Sequence, residues 1–351
     1  MGALLDKVKT LWGHLSQGRT SRPIHVSITS DRVDAKDQIG GTLTKDQSYF
    51  QVKVNQLYLA TEREWFSRYD PMVLVVSEFI YDKDTEEVPF VVGPSMLEKY
   101  KDKIPQGMVF ENTRVAGLHP FRGGRLNLTV VLCRVKVGDY ARDVLNLVDQ
   151  AAHALDFSSV LTGYLKVSDL ILGGIGTLFK MKDLEPQAGH RNEFDADGKQ
   201  GKAPQPGYFA LVDQPEGELN PELFWVRDSG LCYGPSLENA EPFRGADFLL
   251  YSIEPASSRS DERLLSFYPL WSQVIEAAAK PGDEDWKRAK ASMLALYQAM
   301  ALSSDLTWEQ ANALSDRFVT DMKTAHEKAA KLGSLSGRDP RLSEAVKILD
   351  L

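Results

Sequence analysis

The chain is expected to fold as an α+β protein, and three features of its 351 residues carry that expectation. Strand-like apolar runs are frequent up to 137, helical spacing dominates 257–351, and the stretch 125–179 passes from the first period to the second. The layout that follows is a β-rich amino-terminal half, folded as a sandwich or curled mixed sheet, then central buried helices, a second small β segment and a carboxy-terminal helical bundle. In residue terms these are 1–138 with a short amino-terminal helix, 139–184 as a helical pair, 185–256 as a long loop and small β meander, and 257–351.

Taken in order, 4–15 reads as a short helix with Leu4, Leu5, Val8, Leu11, Trp12 and Leu15 on one face. Docking of that face is favoured, because leaving Trp12 in water is costly. A first strand covers 24–29. Over 49–59, Phe50, Val52 and Val54 alternate and then the phase shifts to Leu57 and Leu59, which predicts a bulge. Strands at 72–81 and 88–92 flank a polar turn and read as a hairpin. A short helix at 95–103, a strand at 108–115 and a turn from His119 to Gly124 lead into the central strand, 125–137. There Leu126, Leu128, Val130 and Leu132 take one side, and Val131 and Cys133 the other.

Asp139 can cap a helix whose face carries Tyr140, Val144, Leu147, Val148, Ala151 and Leu155. A second helix over 157–180 is apolar except for a narrow seam of Ser159, Thr162, Lys166, Asp169, Gly173, Gly176 and Lys180. Gly173, Gly174 and Gly176 each cost about 1 kcal/mol against alanine inside a helix. Close backbone contact or a local break is expected to offset them. A membrane-spanning helix needs about 20 apolar residues. Lys166 and Asp169 interrupt that window, so a packed helix is favoured over a membrane-seeking one.

An irregular run is expected over 185–207. Its Asp195-Ala196-Asp197-Gly198 falls out of a calcium-loop frame, since Pro204 stands where the bidentate glutamate belongs. Strands follow at 208–213, 223–227, 231–233 and 247–253, with a hairpin turn at Asp228-Ser229-Gly230. Leu264, Phe267, Trp271, Val274 and Ala278 mark a helix stopped by Pro281 and Gly282. A second carries Trp286, Ala289, Met293, Leu296 and Met300. Thr307 and Gln310 have capping-box spacing for a third. Its face is Trp308, Ala311, Leu314, Phe318, Met322, Ala325, Ala329 and Leu332, with Gly333 as its stop. Leu342, Val346 and Leu349 allow a short last helix.

A net charge of -8 argues against a broad nucleic-acid footprint. Two cysteines far apart, Cys133 and Cys232, define neither a disulfide framework nor a zinc site. Asp6 occupies the Ser/Thr position of a myristoylation motif, and no signal-peptide run is present, so a cytoplasmic setting is expected. Walker, dinucleotide, nucleophile-elbow and zinc-protease patterns are missing. The best thiol candidate is Cys232 between Gly230 and Gly234, with His119 or His190 as a possible base; a structural thiol is favoured, because free cysteines are usually buried. Arg63, Trp65, Phe66, Arg68 and Tyr69 offer a stacking platform for a ligand, although Glu62, Glu64 and Asp70 balance it, favouring a helical or turn linker. Trp12, Arg63, Trp65, Arg68, His190 and Arg191 are the candidate binding residues. No metal and no cofactor are implied. The function expected is a non-catalytic interaction or assembly subunit with a protein partner or a second copy. The alternatives are a thiol hydrolase and a membrane-active effector using 157–179.

Overall fold

A computed structural model describes residues 13, 22–34, 43–60, 63–64, 67–81, 84–92, 109–121, 125–136, 138, 143, 173–174, 176–178, 183–195 and 205–336. The chain divides into two compact units, Met1–Ser257 and Ser258–Leu351. The first is β-rich and the second helical, an α+β architecture as expected.

The first unit holds β1 (Pro23–Ile28), β2 (Tyr49–Tyr58), β3 (Arg63–Glu64), β4 (Ser67–Tyr81), β5 (Asp84–Val92), β6 (Val109–Pro120), β7 (Arg125–Lys136) and β8 (Leu184–Asp195). It continues with β9 (Gly207–Pro215), β10 (Phe224–Arg227), β11 (Gly230–Tyr233), β12 (Glu241–Pro242) and β13 (Phe248–Ala256). One antiparallel sheet runs β1-β9-β13-β2-β6, and a second runs β3-β4-β7-β8 with β5 on the other side of β4. The early and late strand groups therefore interleave, with β13 pairing both β9 and β2.

Alternation explains the layering. Phe50, Val52 and Val54 of β2, Phe209 and Leu211 of β9, and Leu249, Tyr251 and Ile253 of β13 turn inward. They meet Val73 and Val75 of β4, Leu126, Leu128, Val130 and Leu132 of β7, and Ala188 and Phe194 of β8. That core makes the two sheets a sandwich. The opposite face of the first sheet buries Ile24, Val26, Ile28, Ala210, Val212, Phe248 and Leu250 against Phe224, Val226 and Leu231 of a three-stranded sheet, β10-β11-β12. A third layer results.

Several local expectations are met. The phase shift in β2 is a bulge: Leu250 pairs Gln56 while Tyr251 pairs Val54, so Asn55 is the extra residue. The β4–β5 hairpin is tighter than expected, closing from Tyr81 to Asp84. The β10–β11 turn places Asp228 and Ser229 at φ 51° and 58°, the signature of a type I′ turn. Asp34 Oδ2 holds it by accepting from the Asp228 N–H at 2.7 Å.

Others are corrected. Residues 184–195 are not irregular but form β8, paired to β7 from Val135 to Arg125. The polar character that hid the strand has a cause described below. Asp197 and Gly198 lie outside the described residues. The strand expected at 108–115 continues through His119 and Pro120, which still pair with Phe50 and Tyr49. Of the helical or turn linker expected around 63–69, the turn alternative holds: Glu64 pairs Ser67 across the β3–β4 hairpin. The helices expected at 4–15, 95–103 and 342–349 lie outside the described residues, as does nearly all of 139–180. Within 157–180 only 173–174 and 176–178 are described. They are helical, and Leu178 is buried. A Cβ at Gly173 or Gly176 would meet nothing within 4 Å among the described residues.

Gly234 is a glycine of necessity. A Cβ there would sit 2.6 Å from Ala240 Cα and 2.9 Å from the Asn239 carbonyl oxygen, both backbone atoms. A Gly234→Ala chain is expected to lose about 1–3 kcal/mol of stability to overpacking, read as a lower urea midpoint. An unchanged midpoint would show that the turn relaxes freely.

The helical unit packs α1 (Tyr268–Ala278), α2 (Asp283–Ala301) and α3 (Trp308–Ser336). Short connections make them antiparallel neighbours. Val274 and Ala278 of α1, Ala289, Met293, Leu296 and Met300 of α2, and Ala311, Leu314, Phe318, Met322 and Ala329 of α3 are buried. Trp271 stacks on Phe318 with centroids 4.1 Å apart. Leu264, Trp308 and Leu332, expected on the buried faces, are exposed instead. Gly333 does not stop α3, which continues to Ser336. Half of the expected capping box forms: the Gln310 N–H donates to Thr307 Oγ1 at 3.2 Å. The Gln310 amide, however, grips the Arg259 backbone, accepting from its N–H at 3.1 Å and donating to its carbonyl at 2.8 Å.

Candidate functional site

The named thiol and imidazoles do not meet. Cys232 lies on β11, His119 on β6 and His190 on β8, strands of three different sheets. Cys232 is buried and burial pushes its thiol pKa up, the wrong direction for a nucleophile. The charged groups acting on it are Arg227, Arg244, Asp228 and Asp34. His119 is buried beside Phe50, ring centroids 5.7 Å apart. Cys133, on the opposite face of β7 from the sandwich core, is buried with its thiol likewise pushed up. Trp12 and Trp65 lie outside the described residues. Arg63 and Arg68 are backbone partners across the β3–β4 hairpin.

Arg191 forms a polar cluster on the outer face of the second sheet. Its guanidinium meets Glu78 of β4 at 3.1 Å through two nitrogens, and Asn127 Nδ2 of β7 donates to the same carboxylate at 3.2 Å. Fork geometry satisfies a carboxylate that is almost fully buried. A comparable cluster stands on the outer face of the first sheet. There Glu254 accepts from Ser252 Oγ at 3.0 Å and Gln51 Nε2 at 3.3 Å, and pairs with Lys53 Nζ. In both, each named carboxylate already has its donors.

The most unusual constellation is built around His190. Strand alternation turns Ala188, His190, Asn192 and Phe194 inward, while Arg191 turns out. On β1, Ile24, Val26 and Ile28 face the third layer, which leaves His25 on the sandwich side. β1 and β8 are edge strands of the two sheets. The rings of His25 and His190 lie face to face, with centroids 3.6 Å apart and planes 2° from parallel. Phe209 and Tyr251 flank His25 at 5.9 and 6.1 Å.

Hydrogen bonds assign the protons. Asn192 Nδ2 donates to Tyr251 Oη at 2.8 Å, which fixes the amide orientation. His190 Nε2 lies 3.1 Å from Asn192 Oδ1, an oxygen that only accepts, so Nε2 carries the hydrogen. Tyr251 Oη, already accepting, donates its own hydrogen to His25 Nε2 at 2.9 Å. His25 is then protonated at Nδ1, the opposite tautomer to His190. The chain of bonds is complete with every member neutral.

Electrostatics keep it so. Burial, and secondarily the neighbouring His190, lowers the His25 pKa to about 3. Burial also lowers His190, opposed by its bond to Asn192 and by Glu216 and reinforced by Arg22. Burial raises the Tyr251 phenol against the bond from Asn192. Near neutral pH none of these groups exchanges a proton readily, so the network serves to hold rather than to relay. The sign follows directly: the stability contributed by neutral His25 is complete above its ordinary value of 6.5 and drains away as pH falls toward about 3.

Of this set, sequence reasoning named His190 alone. His25 and Tyr251 each look like an ordinary strand residue, Asn192 falls in the run expected to be irregular, and no motif joins them. No group of three or more His, Cys, Asp or Glu suited to a metal occurs among the described residues. No helix among them is long and apolar enough to cross a membrane. In comparisons with known proteins, no family model and no curated protein matches the chain, so residue roles are argued from geometry alone.

Proposed function

We propose that the chain is a non-catalytic interaction subunit, acting in the cytoplasm and docking to a protein partner or a second copy through its helical unit. The observation supporting this is the outward side of α2. Leu294 is 61% exposed and Tyr297, one turn on, 41%; Leu302 at the end of the same helix is 84% exposed. Single exposed leucines are ordinary. Leu294 and Tyr297 one turn apart, with Leu302 just past the helix end, leave large apolar side chains in water beside a packed stripe, which is the composition of an interface.

The test is a Leu294→Glu/Tyr297→Glu chain compared with wild type by light scattering and by affinity capture. Expected for wild type is a mass above the monomer, or one stoichiometric partner, lost more than about tenfold in the variant with helix content unchanged. A wild-type monomer without a stoichiometric partner, behaving like the variant, would end the reading. The raised thiol of Cys232 weighs against the hydrolase alternative, and no observation on the described residues favours the membrane-active one.

A further inference from the structure

We propose that the seam between β1 and β8 is an acid-released latch, closed by the neutral His25–His190 stack and opened when the two rings take up protons. Among the described residues no ladder joins β1 to β8; each pairs only with a neighbour in its own sheet. What bridges the two edges is the ring stack at 3.6 Å and the bonds of Asn192 and His25 to the Tyr251 hydroxyl. Both halves of that bridge depend on neutrality.

Protonation opposes the closed form in two ways. Two imidazolium rings in this stack would hold like charges face to face in a partly dry seam. His25 Nε2 would also become a donor pointing at a hydroxyl that already accepts from Asn192 and has placed its own hydrogen there. Tyr251 would then lose the acceptor for its proton. The groups facing the pair from each packed element do not reverse this. Phe209 of β9 and Tyr251 of β13 carry no charge, and Asn192 of β8 accepts from His190 in either state. Among the described residues, Arg22 before β1 adds positive charge and Glu216 after β9 draws a proton toward His190.

An opened seam exposes both rings to water, where each titrates near 6.5. While the closed His25 stays neutral, the open form gains about tenfold per pH unit below that value, roughly 100-fold at pH 4.5 from this ring alone. His190 adds to it. The pair thus has the form of a proton-biased two-state element.

The experiment is amide hydrogen exchange of the full chain at pH 7.5 and 4.5, each corrected for intrinsic exchange. In wild type, protection of 184–195 is expected to fall about 100-fold, with 268–300 of the helical unit changed less than about fivefold. In His25→Gln, which keeps an acceptor for Tyr251 without titrating in this range, the fall shrinks below about tenfold. His25→Phe serves as a second variant that keeps the stack. Titration of the ring carbons of specifically labelled histidines gives a reading on wild type alone: His25 and His190 should both stay neutral below the ordinary 6.5, His25 down to about 3. Equal loss of protection in wild type and His25→Gln, equal loss in the helical unit, or His25 and His190 both titrating near 6.5 while 184–195 stays protected would each overturn the latch.

Discussion

An Arg259→Ala chain is expected to lose about 3–5 kcal/mol from the helical unit, the range for removing one partner of a buried ion pair. The Arg259 side chain is fully buried. Its Nε and Nη2 meet the two oxygens of Asp261 at 2.7 and 3.0 Å, and Nη1 donates to the Asp305 carbonyl at 2.7 Å. Asp305, whose own carboxylate lies 3.7 Å away, is nearly as buried. Truncation therefore leaves an acidic group without that cation, in a site where water does not replace it. The backbone of the same residue is held by Gln310 in the first turn of α3. Side chain and main chain together fix 258–262 onto the start of that helix. Arg259→Lys should rescue less than half the loss, since an ammonium cannot form the fork to Asp261. Urea unfolding followed by helix circular dichroism measures both. A loss below about 1 kcal/mol for the alanine chain would show the cluster to be replaceable.

Neither Arg259 nor the His25 seam could be reached from the sequence, although most of the fold could, and the division has a physical cause. A strand declares itself when one face is apolar, as in β7, β13 and the phase-shifted β2. The α1 and α2 faces show the corresponding helical stripe. β8 has an inward face of Ala188, His190, Asn192 and Phe194. Its middle is polar because it lies at a seam where the sandwich closes through rings and amides in place of aliphatic contact. A polar inward face reads as a loop, and 185–207 was expected to be one. Such a face is acceptable only when its partners are supplied, and these come from far along the chain: Tyr251 is 226 positions from His25. Arg259 likewise stands in a Ser-rich link with nothing to mark its burial. The exposed row on α2 was unreadable for the opposite reason. Leu294 and Tyr297 are apolar, but the stripe through Ala289, Met293, Leu296 and Met300 already satisfies the helix period, and the surplus shows only once the buried side is known.

Tyr251 offers the sharpest separation of packing from polar networking in the sandwich. The residue is completely buried in the inter-sheet core, ring centroids 5.2 Å from Phe209. Tyr251→Ala removes the ring and the hydroxyl together and is expected to cost about 3–5 kcal/mol from the cavity. To this is added a share of the roughly 1–3 kcal/mol for each buried polar partner left without its bond. Tyr251→Phe keeps the ring and removes only the oxygen. Asn192 Nδ2 and His25 Nε2 lose their common partner, so about 1–3 kcal/mol is expected, measured by urea unfolding at pH 7.5. The phenylalanine chain carries a second consequence. His25 Nε2 no longer receives the Tyr251 proton, so binding a proton there breaks nothing, and His25 should titrate closer to 6.5 than in wild type. Part of the acid sensitivity of the seam then disappears even though both histidines remain. Equal losses for the two substitutions would mean that the network, not the ring, dominates the site. A phenylalanine chain as stable as wild type, with unchanged histidine titration, would mean that the hydroxyl bonds contribute nothing and that the stack alone closes the edge.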